Sequence, residues 1–359
     1  MTTEHLGGRY FADALDGRVD ITDSYEVLGD LPNLVGVSSG EEDEIVDQIR
    51  RLIQDEGGGV ATIGGTAAPA TADANNLYHA DLIAAVDGTD AVAPLRFVAD
   101  TLYAVGMVRV TPRTHHQPKA FVTRTRASHS ASQSLPSGNL SDAVQRWSEH
   151  LRGAREHERS WTSTFREYGE REVALDWLRG DDARFVLVDG PIITQNMLTQ
   201  DRARGLLQNL VATRRAIGFI KELTANPLLT AIGYALRPDE VFVLSDWRNI
   251  LSDRFGARQR HIGTWVEQHG EAIVRAVYKV RNRAFAVECH IERLPLAFAI
   301  LEHDNGGALD HDIPMLLQIA DNHVRSRFNG NRAREEVIAR FASSEPSRFL
   351  ALTSERGLR

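Results

Sequence analysis

The feature that most constrains this chain is a short apolar stretch that ends in an aspartate. Residues 184–191 read RFVLVDGP, so that an apolar run leads directly into Asp189 before Gly190 and Pro191 end it. A continuous apolar run bounded by turn residues is typical of a strand that is buried on both faces. Ligands of α/β proteins usually bind at the carboxyl ends of such strands. The pattern therefore predicts that Asp189 lies at a functional edge of a sheet.

A second stretch repeats this pattern earlier in the chain. Residues 82–89 read LIAAVDGT, which predicts another buried strand with Asp87 at its tip. Two strands that each deliver a carboxylate to one edge of a sheet form a plausible site for a divalent metal ion, since hard cations prefer oxygen ligands. Asp-Gly is also a common turn signal, so a purely structural interpretation stays open.

Composition excludes several classes of protein. The 359 residues carry 41 basic and 49 acidic side chains, a formal charge of -8 that is not typical of a nucleic-acid-binding protein. A local basic groove is nevertheless compatible with an acidic chain. The single cysteine, Cys289, excludes an internal disulfide framework and a cysteine-rich zinc site. Because the N-terminus lacks a signal-peptide pattern, we expect a cytoplasmic protein.

The chain is expected to have three parts. Residues 1–76 are interpreted as an N-terminal arm, with an amphipathic helix over 40–54 and a linker of small residues over 65–76. Residues 77–345 alternate between apolar strands and helical patterns, which predicts one α/β domain. Residues 346–359 are expected to form a C-terminal tail.

One segment is rich in basic and serine residues. Residues 111–139 carry cations without acids in their first half and serines in their second half. A basic stretch beside a flexible loop could follow a phosphate backbone, and a solvated surface hairpin is the equally weighted alternative. The candidate nucleic-acid contacts are Arg113, Lys119, Arg124 and Arg126.

A metal site for phosphodiester chemistry needs further carboxylates. Two Mg²⁺ or Mn²⁺ ions can stabilise both the attacking and the leaving oxygen. We expect the third carboxylate from Glu172, in a helical segment before the second strand, with Glu170 and Asp176 as competitors. The fourth candidate is Asp321, because it interrupts an apolar helical pattern. Lys221, at the end of another apolar strand, is a candidate phosphate contact or an edge charge.

Taken in order, these elements resemble the NurA nuclease family. Asp87 and Asp189 match its two strand-end aspartates, and Glu172 falls where the family has a helical glutamate. The strand that ends in Lys221 and the strand pair over 277–288 are similar to later family motifs. The resemblance implies an RNase H-like fold related to the PIWI domain, with a mixed sheet flanked by helices and a small N-terminal helical arm.

The last family motif is altered in this chain. The family has tyrosine-proline, an apolar stretch and then alanine-histidine, whereas this sequence has Ile313 and Asp321 in place of the tyrosine and the histidine. An aspartate ligates Mg²⁺ or Mn²⁺ at least as well as histidine does. The altered motif is therefore compatible with an intact site of retuned metal preference, or with an inactive one.

The resemblance implies a metal-dependent DNA nuclease that acts on DNA ends. Mn²⁺ or Mg²⁺ would be held by Asp87, Glu172, Asp189 and Asp321 for two-metal phosphodiester hydrolysis, and Lys221 would stabilise phosphate charge. A homodimer that works with a HerA-type hexameric ATPase, in repair or in defence, is implied as well. The main alternative is a catalytically inactive RNase H-like adaptor that binds nucleic acid or an ATPase. A nuclease acting on RNA is a further alternative.

Overall fold

The chain forms two compact units, Met1–Gly57 and Gly58–Arg359. The computed structural model describes residues 43–44, 46–51, 60–67, 70–95, 100–114, 119–126, 158–223, 227–244, 260–270, 272–305, 313–328, 330–344 and 346–347. In the first unit the described residues, 43–44 and 46–51, are helical, as the amphipathic pattern predicts. The expected Ser-rich loop and most of the expected C-terminal tail lie outside the described residues.

The second unit is built on one mixed sheet of nine described strands. Its order is β1-β7-β8-β9-β6-β5-β2-β3-β4. The pairs β2–β5 and β5–β6 are parallel, and the other pairs are antiparallel. The strands are β1 (Val60–Thr62), β2 (Ile83–Leu95), β3 (Asp100–Val110), β4 (Lys119–Arg126), β5 (Phe185–Asp189), β6 (Ala216–Ile220), β7 (Glu240–Leu244), β8 (Ile273–Val280) and β9 (Arg283–His290).

Helices cover both faces of this sheet. They are α1 (Ile63–Ala67), α2 (Thr71–His79), α3 (Glu158–Arg179), α4 (Gln195–Leu198), α5 (Asp201–Ala212), α6 (Pro227–Ala235), α7 (Arg260–His269), α8 (Leu294–Asn305), α9 (Met315–Arg327) and α10 (Gly330–Ser344), with a 3₁₀ turn over Ile291–Arg293. None of the helices in the described ranges is long and apolar enough to cross a membrane.

Two apolar clusters, one on each face of the sheet, form the core. On one face α1, α2, α8 and α9 pack against alternate strand residues such as Ala85 and Leu187. On the other face α3, α5 and α7 pack against the intervening residues, such as Val86 and Val188. This alternation is the expected result of a strand whose successive side chains point to opposite faces. The mixed sheet with helices on both faces confirms the predicted fold class.

The predicted linker is wrong for its described residues. Residues 63–67 and 71–79 form α1 and α2, and Ile63, Ala67, Ala74 and Leu77 are buried in the core. Alanine is the strongest helix former, and its small side chain allows a helix to pack closely against a sheet. The described part of this run of small residues therefore forms a packed helical layer and not a spacer.

Asp87 lies inside its strand and does not end it. The sequence places this residue at the tip of a strand, but β2 continues as far as Leu95. The parallel ladder between β2 and β5 ends at the pair Val86–Val188, while the antiparallel ladder with β3 continues along the rest of β2. Asp87 thus lies within a long strand, at the point where its parallel neighbour ends.

Candidate active site

Asp87 and Asp189 occupy equivalent positions on neighbouring strands. Each follows directly after the last residue of the β2–β5 ladder, where Val86 is paired with Val188. Adjacent strands lie about 4.8 Å apart, and side chains of the same register point to the same face. Asp87 and Asp189 therefore project side by side on the face that α9 covers, as do Ala85 and Leu187 two positions earlier.

The carboxyl group of Asp87 is enclosed by protein. Its side chain is 2% exposed, and Oδ1 accepts a hydrogen bond from the Gly88 amide at 2.7 Å. Oδ2 is buried and accepts no hydrogen bond. Burial, followed by the negative charges of Asp189 and Glu170, raises the pKa of Asp87 to about 8. A buried oxygen without a partner, surrounded by like charges, is a favourable position for a cation.

Asp189 is more open and is paired with a cation. Lys221, the first residue after β6, places Nζ 3.1 Å from Asp189 Oδ2. Both side chains are partly exposed, at 31% for Lys221 and 25% for Asp189. Parallel pairing of β5 with β6 brings them together, because Phe219 is opposite Asp189 and the chain leaves the sheet two residues later. The structure thus places Lys221 next to a predicted site aspartate.

The carboxylate that α3 delivers to this region is that of Glu170. Glu170 is buried, and its Oε1 lies 2.6 Å from the position that a Cβ on Gly88 would take. Burial raises the pKa of Glu170 to about 7, although Arg171 and Arg166 lower it. Glu172 lies about 200° further around the helix and is half-buried. The groups that raise the pKa of Asp87 include Glu170.

Asp321 also belongs to this region but already has a partner. It lies on α9, and its negative charge contributes to the raised pKa of Asp87. Its Oδ1 accepts a hydrogen bond from Arg325 Nε at 2.6 Å, one helical turn away. This hydrogen bond raises the pKa of Arg325, and the charges of Asp87 and Asp189 add to the effect. The structure therefore brings Asp87, Asp189, Lys221 and Asp321 to one face of the sheet.

The carboxylate oxygens described above suit a hard cation, but they do not form a complete set of metal ligands. Among the residues that the structure describes, no group of three or more His, Cys, Asp or Glu side chains forms a ready-made metal site. The sheet gives the reason, since Asp87 and the helix that carries Glu170 lie on opposite faces of β2 and can share an ion only past the end of the β2–β5 ladder. Asp87 and Asp189 are the pair best placed to share an ion.

The basic candidates separate into two groups. Arg113 donates hydrogen bonds to His79 O and, through its backbone amide, to Asp81 Oδ1, near the start of β2. It thus lies away from Asp87, at the other end of the β2–β5 ladder. The other three, Lys119, Arg124 and Arg126, lie on β4, and only their backbone is described. Lys119 pairs with Met107, which in turn pairs with Gly88.

Sequence analysis missed the residues that hold the segment after Asp189. Residues 190–194, termed here the post-β5 segment, receive hydrogen bonds from Arg171 and donate them to Glu167 and Glu288. Both Arg171 and Glu288 are buried. A signal was present for Glu288, because it is a charged residue inside the otherwise apolar stretch AFAVEC, residues 284–289.

Several solved structures are similar to this fold. No family model matches the chain, and no curated protein matches it. The NurA nuclease from Sulfolobus solfataricus superposes with a TM-score of 0.48 at 12% identity, over 91% of this chain and 98% of that one. The chain is similar in structure to NurA nucleases. NurA with manganese gives a TM-score of 0.45 at 10% identity, over 73% and 88% of the two chains.

A third structure, NurA bound to dAMP and manganese, gives a TM-score of 0.39 at 11% identity, over 81% of this chain and 95% of that NurA chain. At these identities the similarity concerns the fold alone.

Proposed function

We propose that this protein is a metal-dependent DNA nuclease. The observation that carries the proposal is the placement of Asp87 and Asp189 side by side at the end of the β2–β5 ladder, with a buried Asp87 Oδ2 that accepts no hydrogen bond. A buried carboxylate beside a second negative charge is costly without a compensating cation. A divalent ion held by these two residues would remove this cost and supply the charge that phosphodiester hydrolysis needs.

Mn²⁺ or Mg²⁺ would be held by Asp87 and Asp189, with Glu170 and Asp321 completing the oxygen ligands. We propose Glu170 in place of Glu172, because Glu170 is the α3 carboxylate that raises the pKa of Asp87. The bound ions would act as Lewis acids on the phosphate and lower the pKa of water, as in two-metal hydrolysis. Lys221, next to Asp189, would stabilise negative charge that develops on the phosphate.

DNA binding is proposed for the three-stranded ribbon of β2, β3 and β4. Beyond Asp87, β2 continues for eight residues and pairs with β3, which pairs with β4. Lys119, Arg124 and Arg126 lie along β4, so basic residues extend outward from the site on one edge strand. Neutralisation of phosphates by such cations is the sequence-independent component of DNA affinity.

The decisive experiment is cleavage of end-labelled single- and double-stranded DNA with Mn²⁺, Mg²⁺ or EDTA, using the wild type and Asp189→Asn. Metal-dependent cleavage that the substitution abolishes would support the proposal. Cleavage that persists in EDTA, or at full rate in Asp189→Asn, would contradict it. If the isolated protein is inert, the assay is repeated with a HerA-type ATPase, the partner implied by the sequence resemblance, and the mass in solution tests the implied homodimer.

A catalytically inactive adaptor is the second candidate. It is favoured by the Asp321–Arg325 ion pair and by the lack of a ready-made site of three or more ligands among the described residues. An adaptor would bind DNA with the same affinity in EDTA and in Mn²⁺. It would also show no heat of Mn²⁺ binding, whereas the nuclease proposal requires binding that Asp87→Asn and Asp189→Asn both weaken.

A further inference from the structure

The post-β5 segment is held on one side by a single buried arginine. Arg171 is 1% exposed and lies on α3, next to Glu170 in sequence. Its Nη2 donates to Pro191 O and its Nε donates to Ile192 O at 3.4 Å. Its Nη1 donates to the Glu170 carboxylate. One guanidinium thus joins the α3 carboxylate to the backbone that directly follows Asp189.

Two further polar side chains bind the post-β5 segment, Glu288 from β9 and Glu167 from α3. Glu288 on β9 is fully buried and accepts a hydrogen bond from the Ile193 amide at 2.9 Å. Glu167, one helical turn before Arg171, accepts from Thr194 Oγ1 at 2.5 Å. These polar side chains hold the post-β5 segment from α3 on one side and from β9 on the other, and the Gly190 amide donates to Phe219 O on β6.

The segment also lies directly on the neighbouring strand. A Cβ at Gly218, on β6, would lie 2.5 Å from Gly190 O and 3.0 Å from Ile192 N. Gly190 itself has φ +85°, a left-handed conformation that glycine adopts without strain. This close contact leaves little freedom for the backbone that leaves Asp189.

Stability alone is a poor explanation for buried charges in this position. Removing an arginine or a glutamate from water costs free energy that its partners only partly repay, and an apolar replacement of similar volume is often at least as stable. The planar guanidinium does, however, provide several donors in a fixed geometry. It therefore suits a position where two elements must keep a defined distance.

We propose that Arg171 is a positioning residue that fixes the Glu170 carboxylate relative to Asp189. This inference rests on the proposed metal-dependent function, because it assigns Arg171 the task of holding two ligand-bearing elements together. Its hydrogen bonds to Pro191 O, Ile192 O and Glu170 set the separation of α3 from the end of β5. The outer partners of metal ligands act in this way, by orienting groups that they do not replace.

A matched control exists at the opposite end of the same strands. Arg215, directly before β6, is also largely buried and donates to the carbonyl oxygens of Asp181, Arg184 and Leu178. It ties loops together at the amino ends of β5 and β6, away from Asp189. Arg215→Met removes a comparable set of hydrogen bonds without touching the proposed site.

The test is Mn²⁺ binding to the purified full chain, measured by calorimetry without DNA, together with the Tm of each variant. Arg171→Met is expected to weaken Mn²⁺ binding by roughly 10- to 100-fold, the usual effect of losing an outer partner of a metal ligand. Arg215→Met is expected to lower Tm and leave Mn²⁺ affinity at the wild-type value. In DNA cleavage, Arg171→Met should reduce kcat and leave KM for DNA unchanged.

Arg171→Lys keeps the proposal testable if Arg171→Met does not fold. Lysine keeps the charge but cannot span two carbonyl oxygens and a carboxylate, so an intermediate loss of Mn²⁺ affinity is expected. Wild-type Mn²⁺ affinity in the folded Arg171 variants, or an equal loss in Arg215→Met, would overturn the positioning role alone. Absence of Mn²⁺ binding by the wild type would overturn the proposed function and this inference together.

Discussion

The carboxylate of Glu170 occupies the space that any side chain at position 88 would need. Glu170 Oε1 lies 2.6 Å, and Arg166 Cγ 2.9 Å, from the position of a Cβ on Gly88. The residue after Asp87 must therefore be glycine for α3 to approach the sheet this closely. The Asp-Gly pair read from the sequence as a turn signal thus has a packing role within a continuous strand.

Gly88→Ala is accordingly expected to displace Glu170 and to weaken Mn²⁺ binding about tenfold or more, by the reasoning that applies to other supports of a metal site. Mn²⁺ calorimetry and DNA cleavage measure this effect. Gly205→Ala on α5 is the control, since no atom lies within 4 Å of its Cβ position. The control should gain up to about 1 kcal/mol of stability from helix propensity and keep full activity. Equal metal affinity in both variants would show that Glu170 has room to move.

Glu170→Gln and Glu172→Gln distinguish the two helical candidates. Glu170→Gln should reduce DNA cleavage by more than about 100-fold, a larger loss than removal of an outer partner causes, because it removes a proposed ligand. Glu172→Gln should retain activity within a few-fold of the wild type. Initial rates at saturating Mn²⁺ provide the measurement, and the reverse order of the two effects would restore the prediction made from sequence.

Mn²⁺ affinity should increase as the pH rises from about 6 to about 9. Asp87, with a pKa of about 8, and Glu170, with a pKa of about 7, must lose their protons before they can bind a cation. Calorimetry in buffers of different ionisation enthalpy should also show that binding releases protons. Affinity that is independent of pH over this range would place the metal elsewhere.

Without metal, the free energy of unfolding should decrease as the pH rises, whereas Mn²⁺ affinity increases. The pKa of Asp87 is higher in the folded protein than its usual value of 3.8, so the folded state binds the additional proton. The free energy of unfolding then decreases as the pH rises from about 4 through about 8. Asp87→Asn should remove this part of the dependence and raise Tm at pH 8.5 by about 2–4 °C or more, which corresponds to about 1 kcal/mol. An unchanged profile in Asp87→Asn would show that Asp87 is not the group responsible.

If the three-stranded ribbon of β2, β3 and β4 binds DNA, charge reversal on β4 should change DNA affinity and its dependence on salt. Arg124→Glu with Arg126→Glu should weaken binding and reduce the salt slope by about 1 for each phosphate contact that is lost. Arg113→Glu is the control, because Arg113 is engaged by His79 O and Asp81 near the start of β2. Binding isotherms at several salt concentrations measure both. Equal effects of the two charge reversals would contradict a specific role for the ribbon.

The sequence allowed the sheet and its two aspartates to be predicted because buried parallel strands have a strong pattern. The runs ahead of Asp87 and Asp189 are apolar at every position, and β8 and β9 are two largely apolar strands joined by a short connection. Pattern alone could not show that β2 continues past Asp87. Gly88 is normally a strand-ending signal, but the antiparallel ladder with β3 carries the strand on to Leu95, and the close approach of α3 requires a glycine at this position.

The choice between Glu170 and Glu172 depended on the phase of a helix. One residue corresponds to about 100° of rotation, so the carboxylate that faces the sheet is known only when the buried face is known. Arg171 and Glu288 were missed for a different reason. Their partners are backbone groups of the post-β5 segment, 20 or more residues away in sequence, and a sequence pattern does not reveal such contacts.

Insertions and deletions have opposite consequences on the two sides of Asp87. The residues from Ile83 to Val86 pair with β5, and Ala85 and Val86 pair with β3 as well, so a change of one residue there would turn Asp87 to the other face of the sheet. The connection between Leu95 and Asp100 follows the last pair of the β2–β3 ladder. A change in its length therefore leaves the register at Asp87 intact. Among relatives of this chain, the spacing before the aspartate should therefore be constant, while the length of the hairpin after it is free to vary.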